Sequence, residues 1–102
     1  MDFRSKVISF VKSVPKGKVV SYGQVAAASG NAKAARQVGG ILAALDVSDQ
    51  AVPWWRVVNN QGIISIRGNW TASKDLQRDL LKREGVLVSE EFKLDIEKYR
   101  FI

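Results

Sequence analysis

Residues 18–45 read KVVSYGQVAAASGNAKAARQVGGILAAL, and their punctuation restricts the fold more than anything else in the chain. "KVVSY" is a short β-branched stretch that favours extended backbone. Ser21 follows, where its hydroxyl can accept from the first free N–H groups of a short helix over residues 22–28. Gly30 breaks that helix, and Asn31 is placed to cap a longer one over about residues 32–45, with Ala35, Val38, Leu42 and Leu45 as its buried stripe. Lys33, Ala34, Arg36 and Gln37 fall on the flanks and outer face near its start. A short helix, a tight glycine turn and a second helix opening with small and basic residues make a helix-turn-helix, whose second helix normally enters a groove of DNA. Two packed helices joined by a glycine turn are also common in proteins that bind nothing, so the pattern alone leaves the partner open.

The flanking sequence supplies a core for this pair. Phe3, Val7, Phe10, Val11 and Val14 recur at helical spacing, with Asp2 as a cap and Pro15 and Gly17 as stops, so a first helix spans about residues 2–13. "RVVNNQGIIS" reads as two strands joined by an Asn-Asn-Gln-Gly turn, a wing beside the helix pair. "IRGNWTAS" is a loop, after which Ser73 caps a helix over about residues 74–84 with Leu76, Leu80 and Leu81 inward and Gly85 as its stop. "VLV" and "FKL" have the look of short terminal strands closing the core. The expected architecture is mainly α with short strands, a winged-helix-like helix-turn-helix in a single domain over residues 1–102. At 102 residues the core is adequate rather than generous, and a monomer is expected.

What the chain lacks narrows its chemistry. It contains no cysteine and no histidine, which removes disulfides, thiol nucleophiles, thiolate metal sites, the usual general base and the commonest metal ligand. No cofactor or metal is expected. No apolar run reaches the roughly 18 residues that cross a bilayer, and "MDFRSKVISF" is too charged for a signal peptide, so the expected setting is the cytoplasm. Charge is uneven. Between Phe3 and Leu45 seven basic residues (Arg4, Lys6, Lys12, Lys16, Lys18, Lys33, Arg36) meet no acid, whereas Glu84 to Glu97 carries five acids and one lysine. A one-sided positive surface suits a polyanion, since neutralising phosphates releases their counterions; a solvated basic surface is the alternative.

Three ordered stretches add a family resemblance that covers nearly the whole chain: "VPKGKVVSYGQVA", "AARQVGG" and "PWWRV". They resemble the "IPxGxVxSYGxxA", "AARxVG" and "PCHRV" signatures of the DNA-binding, active-site domain of the O6-alkylguanine-DNA alkyltransferases. The cysteine that accepts the alkyl group in that family falls on Trp54, and its activating histidine on Trp55. The chain thus resembles the alkyltransferase-like proteins, which keep the damage-binding architecture without the reactive thiol; commonly they read "PWHRV", and this chain departs further. The resemblance implies the alkyltransferase C-terminal-domain fold. It also implies a non-enzymatic sensor that binds O6-alkylguanine in double-stranded DNA through the minor groove, flips the base into a pocket, and marks the site for nucleotide-excision-repair proteins. The competing class is a helix-turn-helix regulator that reads promoter sequence. A remnant enzyme is disfavoured for want of a nucleophile with a base.

Residue roles follow from the same resemblance. Tyr22 matches the tyrosine that helps rotate the phosphate, and Arg36 the arginine that enters the stack opposite the orphaned cytosine. Ala34 and Ala35 permit close approach in the groove, and Asn31 and Val57 complete the lesion-binding set. Trp54 walls the pocket floor, Arg67 lies over the π-face of the flipped base, and Gly68 presents its N–H toward O6. Glu84 matches the carboxylate that orients the family's histidine; with Trp55 there it has nothing to orient and is read as a structural acceptor. Trp55 is read as filling the core, Arg56 as pairing with carbonyls or carboxylates, and Trp70 as pinning its loop.

Overall fold

The computed structural model describes residues 1–45, 49, 51–64 and 73–102. Asp2 starts helix α1 (Phe3–Ser13) as expected, its carboxylate accepting from the Ser5 N–H at 2.8 Å. Val7, Val11 and Val14 form its buried face, while Phe3 and Phe10 sit half-buried at the edge. Past Gly17 the chain enters strand β1 (Val20–Ser21). A reciprocal capping box then launches α2 (Tyr22–Ala28): Ser21 Oγ accepts from the Gln24 N–H at 3.1 Å, and Gln24 Oε1 from the Ser21 N–H at 3.0 Å.

The second helix of the pair, α3 (Ala35–Ala43), begins later than its sequence suggests. Asn31 does not cap it. Its Oδ1 accepts from the Lys33 N–H at 3.1 Å and its carbonyl from the Ala34 N–H at 3.0 Å, so residues 31–34 are spent on a turn. Ala34, expected near the outer face, is 4% exposed and packs with Val38 and Leu42, whereas Ala35 is only half-buried. α3 packs against both α2 and α1.

Strand β2 (Val57–Val58) runs parallel to β1, with Val20 opposite Val57 and Ser21 opposite Val58. The Asn-Asn-Gln-Gly turn forms, with the Gly62 N–H on the Asn59 carbonyl at 3.0 Å and Asn59 Oδ1 accepting from the Gln61 and Ile63 N–H groups. Gly62 is required there: φ is +81°, and a Cβ would strike the Leu94 carbonyl oxygen. The turn also leads into a pairing with the tail. The Asn59 N–H closes on the Ile63 carbonyl at 3.1 Å, Ile63 bridges antiparallel to Lys93 in the C-terminal segment, and the Leu94 N–H closes on the Gly62 carbonyl at 2.9 Å; the end of the expected second strand, from Ser65 on, lies outside the described residues.

Ser73 caps α4 (Lys74–Arg83) through the Leu76 N–H at 3.1 Å, and Gly85 at φ +87° ends it. Its buried face differs from the leucine stripe. Leu81 is fully buried and Leu80 half-buried, but Leu76 is 38% exposed and Gln77 takes the inward place at 0%. Gln77 tolerates burial because its amide donates to the carbonyls of Trp55 at 3.1 Å and Val57 at 3.0 Å. "VLV" forms no strand, and "FKL" contributes only the Lys93 bridge before α5 (Ile96–Tyr99), a short helix capped by Asp95.

Two groups of buried side chains result. One gathers Val7, Val11, Val25, Val38 and Leu42 from the first three helices; the other gathers Val19, Val58, Ile64, Leu81 and Val86 beneath α4 and the tail. Each buried valine or leucine contributes about 1.5–3 kcal/mol relative to exposure. The segment 53–57 lies where they meet.

Candidate nucleic-acid interface

Pro53 opens a single 3-10 turn, Trp54–Arg56, closed by the Arg56 N–H on the Pro53 carbonyl at 3.1 Å. Successive side chains on such a turn point about 120° apart, so two adjacent indoles necessarily diverge. Trp54 packs against the first core group and Trp55 against the second, with ring centroids 5.9 Å apart and planes at 86°. Both remain half-buried.

Behind them stands an ion pair. Arg56 Nη2 donates to Glu84 Oε2 at 2.6 Å and Nε to Oε1 at 3.0 Å, while Nη1 reaches the Val14 carbonyl at 2.8 Å. The side chains are 14% and 7% exposed. Glu84 is not idle toward position 55, contrary to expectation: it accepts the Trp55 indole N–H at 3.0 Å, and the Gly17 N–H at 3.4 Å as well. Burial alone pushes the Glu84 carboxyl up, but hydrogen bonds from Arg56, Trp55 and Gly17, with the charge of Arg56, outweigh it and hold the group below its ordinary value. The anion is thus held in place by three donor residues from two parts of the chain, Gly17 and the pair Trp55 and Arg56. Arg56 and Glu84 are structural in the sense expected of them.

The helix pair presents the second half of the interface. Tyr22 opens α2 half-buried, and its ring edge lies 3.8 Å from where a Cβ on Gly39 would stand, so α3 comes close to the ring. Arg36 is exposed on the first turn of α3 and makes no hydrogen bond or ion pair with any described residue. Lys33 and Asn31 are exposed on the preceding turn. Lys6 of α1 joins them from the side, its Nζ 3.9 Å from the Cβ position of Gly30. The sequence counts Lys6 only among the basic residues of its first 45; its nearness to the α2–α3 turn is a tertiary fact.

Two expected members sit beneath this surface rather than on it. Val57 is 1% exposed in β2 and Ala34 is 4% exposed, so both side chains belong to the core and offer almost no surface to a ligand. Arg67, Gly68 and Trp70 lie outside the described residues. Gln77, which the sequence did not single out, ties α4 to the carbonyls on either side of Arg56.

Chemically, the described residues offer two half-buried indoles on the 3-10 turn and exposed basic side chains on the helix pair. With no cysteine in the chain, no alkyl group can pass to a thiol of this protein. Among the described residues no group of three or more His, Cys, Asp or Glu side chains is placed to hold a metal ion, and no helix is long and apolar enough to cross a membrane.

Comparison with known proteins agrees with this geometry. Residues 2–86 match the family described as 6-O-methylguanine DNA methyltransferase, DNA binding domain. The DNA base-flipping protein of Escherichia coli (strain K12) is 41% identical over 100 residues, covering 98% of this chain and 74% of that protein. Alkyltransferase-like protein 1 of Schizosaccharomyces pombe is 38% identical over 102 residues, covering 96% and 93%. The crystal structure of S. pombe Atl1 in complex with damaged DNA containing O6-carboxymethylguanine superposes with a TM-score of 0.88 at 38% identity, covering 98% of this chain and 94% of that one.

Proposed function

The chain belongs to the 6-O-methylguanine DNA methyltransferase DNA-binding domain family, and from that premise we propose that it is a DNA base-flipping protein that grips O6-alkylguanine without repairing it. What carries the reading is the Trp54–Trp55 pair, which the motif resemblance puts at the family's cysteine and histidine positions, with Glu84 engaged by Trp55 and Arg56. Alkyl transfer from guanine O6 needs a soft, ionised nucleophile, and an indole nitrogen is neither acidic nor nucleophilic. Loss of the thiol with the scaffold kept leaves binding as the retained activity. A relative solved with O6-carboxymethylguanine DNA supports this class of lesion.

In this reading α3 lies in the minor groove, where contacts are largely indifferent to sequence. Rotating the nucleotide out costs a few kcal/mol or so, less where alkylation has already spoiled the pair. Tyr22 drives the phosphate round, and exposed Arg36 fills the vacated place with a planar, donor-rich guanidinium. Half-buried Ala35 and exposed Asn31 let the backbone approach, while Ala34 and Val57 hold α3 and the 3-10 turn from below. Trp54 turns its apolar face to the alkyl group, Arg67 covers the base and Gly68 offers its N–H to O6. The protein works in the cytoplasm as a monomer, and the bent, occupied site recruits nucleotide-excision-repair proteins.

The test is affinity at fixed ionic strength for two duplexes that differ only by one O6-methylguanine, set in several sequence contexts. Preference for the lesion in every context is the expected result. Indifference to the lesion with preference for one context would make the protein a sequence-reading regulator instead.

A further inference from the structure

Trp55 is tied down more thoroughly than packing requires. Its N–H donates to Glu84 Oε2 at 3.0 Å, its carbonyl accepts from Gln77 Nε2 at 3.1 Å, and the Arg56 guanidinium carbon lies 5.4 Å from its ring centroid. A half-buried indole needs some partner for its N–H; here the partner is a carboxylate that Arg56 already holds at 2.6 Å, so the ring is tied to a fixed charged group rather than to water or a mobile acceptor. Its neighbour Trp54 has no polar anchor among the described residues; besides packing against the first core group it has the edge-to-face contact with Trp55 at 86°. We propose that Trp55 is a positioning residue: anchored on Glu84, its ring fixes the Trp54 ring in the orientation that receives a flipped base.

The inference rests on the lesion-binding reading, in which Trp54 is the pocket wall. A wall free to rotate would have to be ordered at the moment of binding, and that entropy would be subtracted from affinity; a ring already held avoids the loss. An edge-to-face pair holds direction only if one partner is fixed. The fixing bond runs to an ionised acceptor and is stronger than a neutral one. Glu84 faces one cationic side chain among the described residues, Arg56, together with the Gly17 and Trp55 N–H groups. The indole N–H does not titrate near neutrality, so the anchor keeps its strength wherever Glu84 is ionised. A histidine in the same place would be a titratable donor.

Two variants separate positioning from filling. Trp55→Phe keeps an aromatic ring and loses the N–H; Trp55→His keeps a donor for Glu84. The preference for an O6-methylguanine duplex over its unmodified twin should fall about tenfold in Trp55→Phe, with affinity for the unmodified duplex changed less than about twofold. Trp55→His should regain most of the preference and make it vary with pH as the imidazole titrates, whereas the wild type stays flat from about pH 6 to 8. A Phe variant that keeps its preference, or loses both affinities in proportion, overturns the proposal. The wild type gives an independent reading should Trp55→Phe fold poorly. Its Trp55 indole proton should exchange slowly and keep its NMR frequency when the lesion duplex is added, while the Trp54 indole proton shifts. Fast exchange at Trp55 would overturn the proposal as well. Failure of the underlying reading would appear separately, as a wild-type protein with no lesion preference.

Discussion

Glu84→Gln removes one charge while keeping the shape of the side chain, and its effect can be worked out from the contacts. The carboxylate is 7% exposed and its partner Arg56 14%. The variant strands a guanidinium among groups that were arranged around an anion, and its amide NH2 confronts donors from Arg56 and Trp55. Removing one partner of a buried pair costs about 3–5 kcal/mol. Because the amide oxygen still accepts one bond and Arg56 keeps the Val14 carbonyl at 2.8 Å, the loss should fall at the lower end, about 3 kcal/mol. In urea this moves the unfolding midpoint down by about 2 M for a slope near 1.5 kcal/mol per M, and in a thermal scan lowers Tm by about 15 °C. The pH dependence carries the sign. Glu84 is held below its ordinary value of 4.5 in the folded state, so its contribution is complete above that value and disappears as pH falls from there through the depressed folded value. The gap between wild type and Glu84→Gln should therefore be full at neutral pH and shrink in acid. A gap under about 1 kcal/mol at pH 7, or one that widens in acid, would refute the assignment of Glu84 as a paired anion.

Three further outcomes concern the interface. Arg36→Ala should abolish the rise in 2-aminopurine fluorescence that reports an extruded base, with little change in stability, since Arg36 is exposed and unpaired among the described residues; unchanged flipping would remove it from that role. Arg67→Ala should weaken binding to an O6-methylguanine duplex more than to the unmodified duplex, because its assigned partner is the base; equal losses would mark a phosphate contact. Lys6→Gln should weaken both duplexes alike and reduce the slope of log K against log salt by about 0.9, the signature of one lost phosphate contact, because Lys6 stands beside the α2–α3 turn; an unchanged slope would place it off the DNA.

Local chemistry makes much of the fold legible from the residues alone. Asp2, Ser21 and Ser73 cap the helices assigned to them because a cap needs only residues within one turn. Asn31 misled because the same side chain can close a turn on Lys33 instead of capping, and only the packing of Ala34 into the core decides between the two. The partner of Ile63 was not legible, for a non-local reason. The turn at residues 59–62 is written in its residues, but the choice of Lys93 as partner for Ile63 depends on where the tail lies. Gln77 was missed because polarity argues against burial unless the carbonyls of Trp55 and Val57 are known to wait for its amide. At the site, Tyr22 and Arg36 could be placed on their helices from motif spacing. The bond from Trp55 to Glu84 could not, since nothing in "PWWRV" states that residue 84 returns beneath it.

One measurement bears most directly on the claim that an unreactive indole pair holds an alkylated base intact. A duplex carrying isotopically labelled O6-methylguanine is bound to the protein at stoichiometric concentration, the complex is isolated, and both components are digested and weighed by mass spectrometry. The account predicts a complex that outlasts the one with unmodified duplex, every label still on guanine and none on the polypeptide. Label on the protein, or a complex no more persistent than with unmodified DNA, would contradict it.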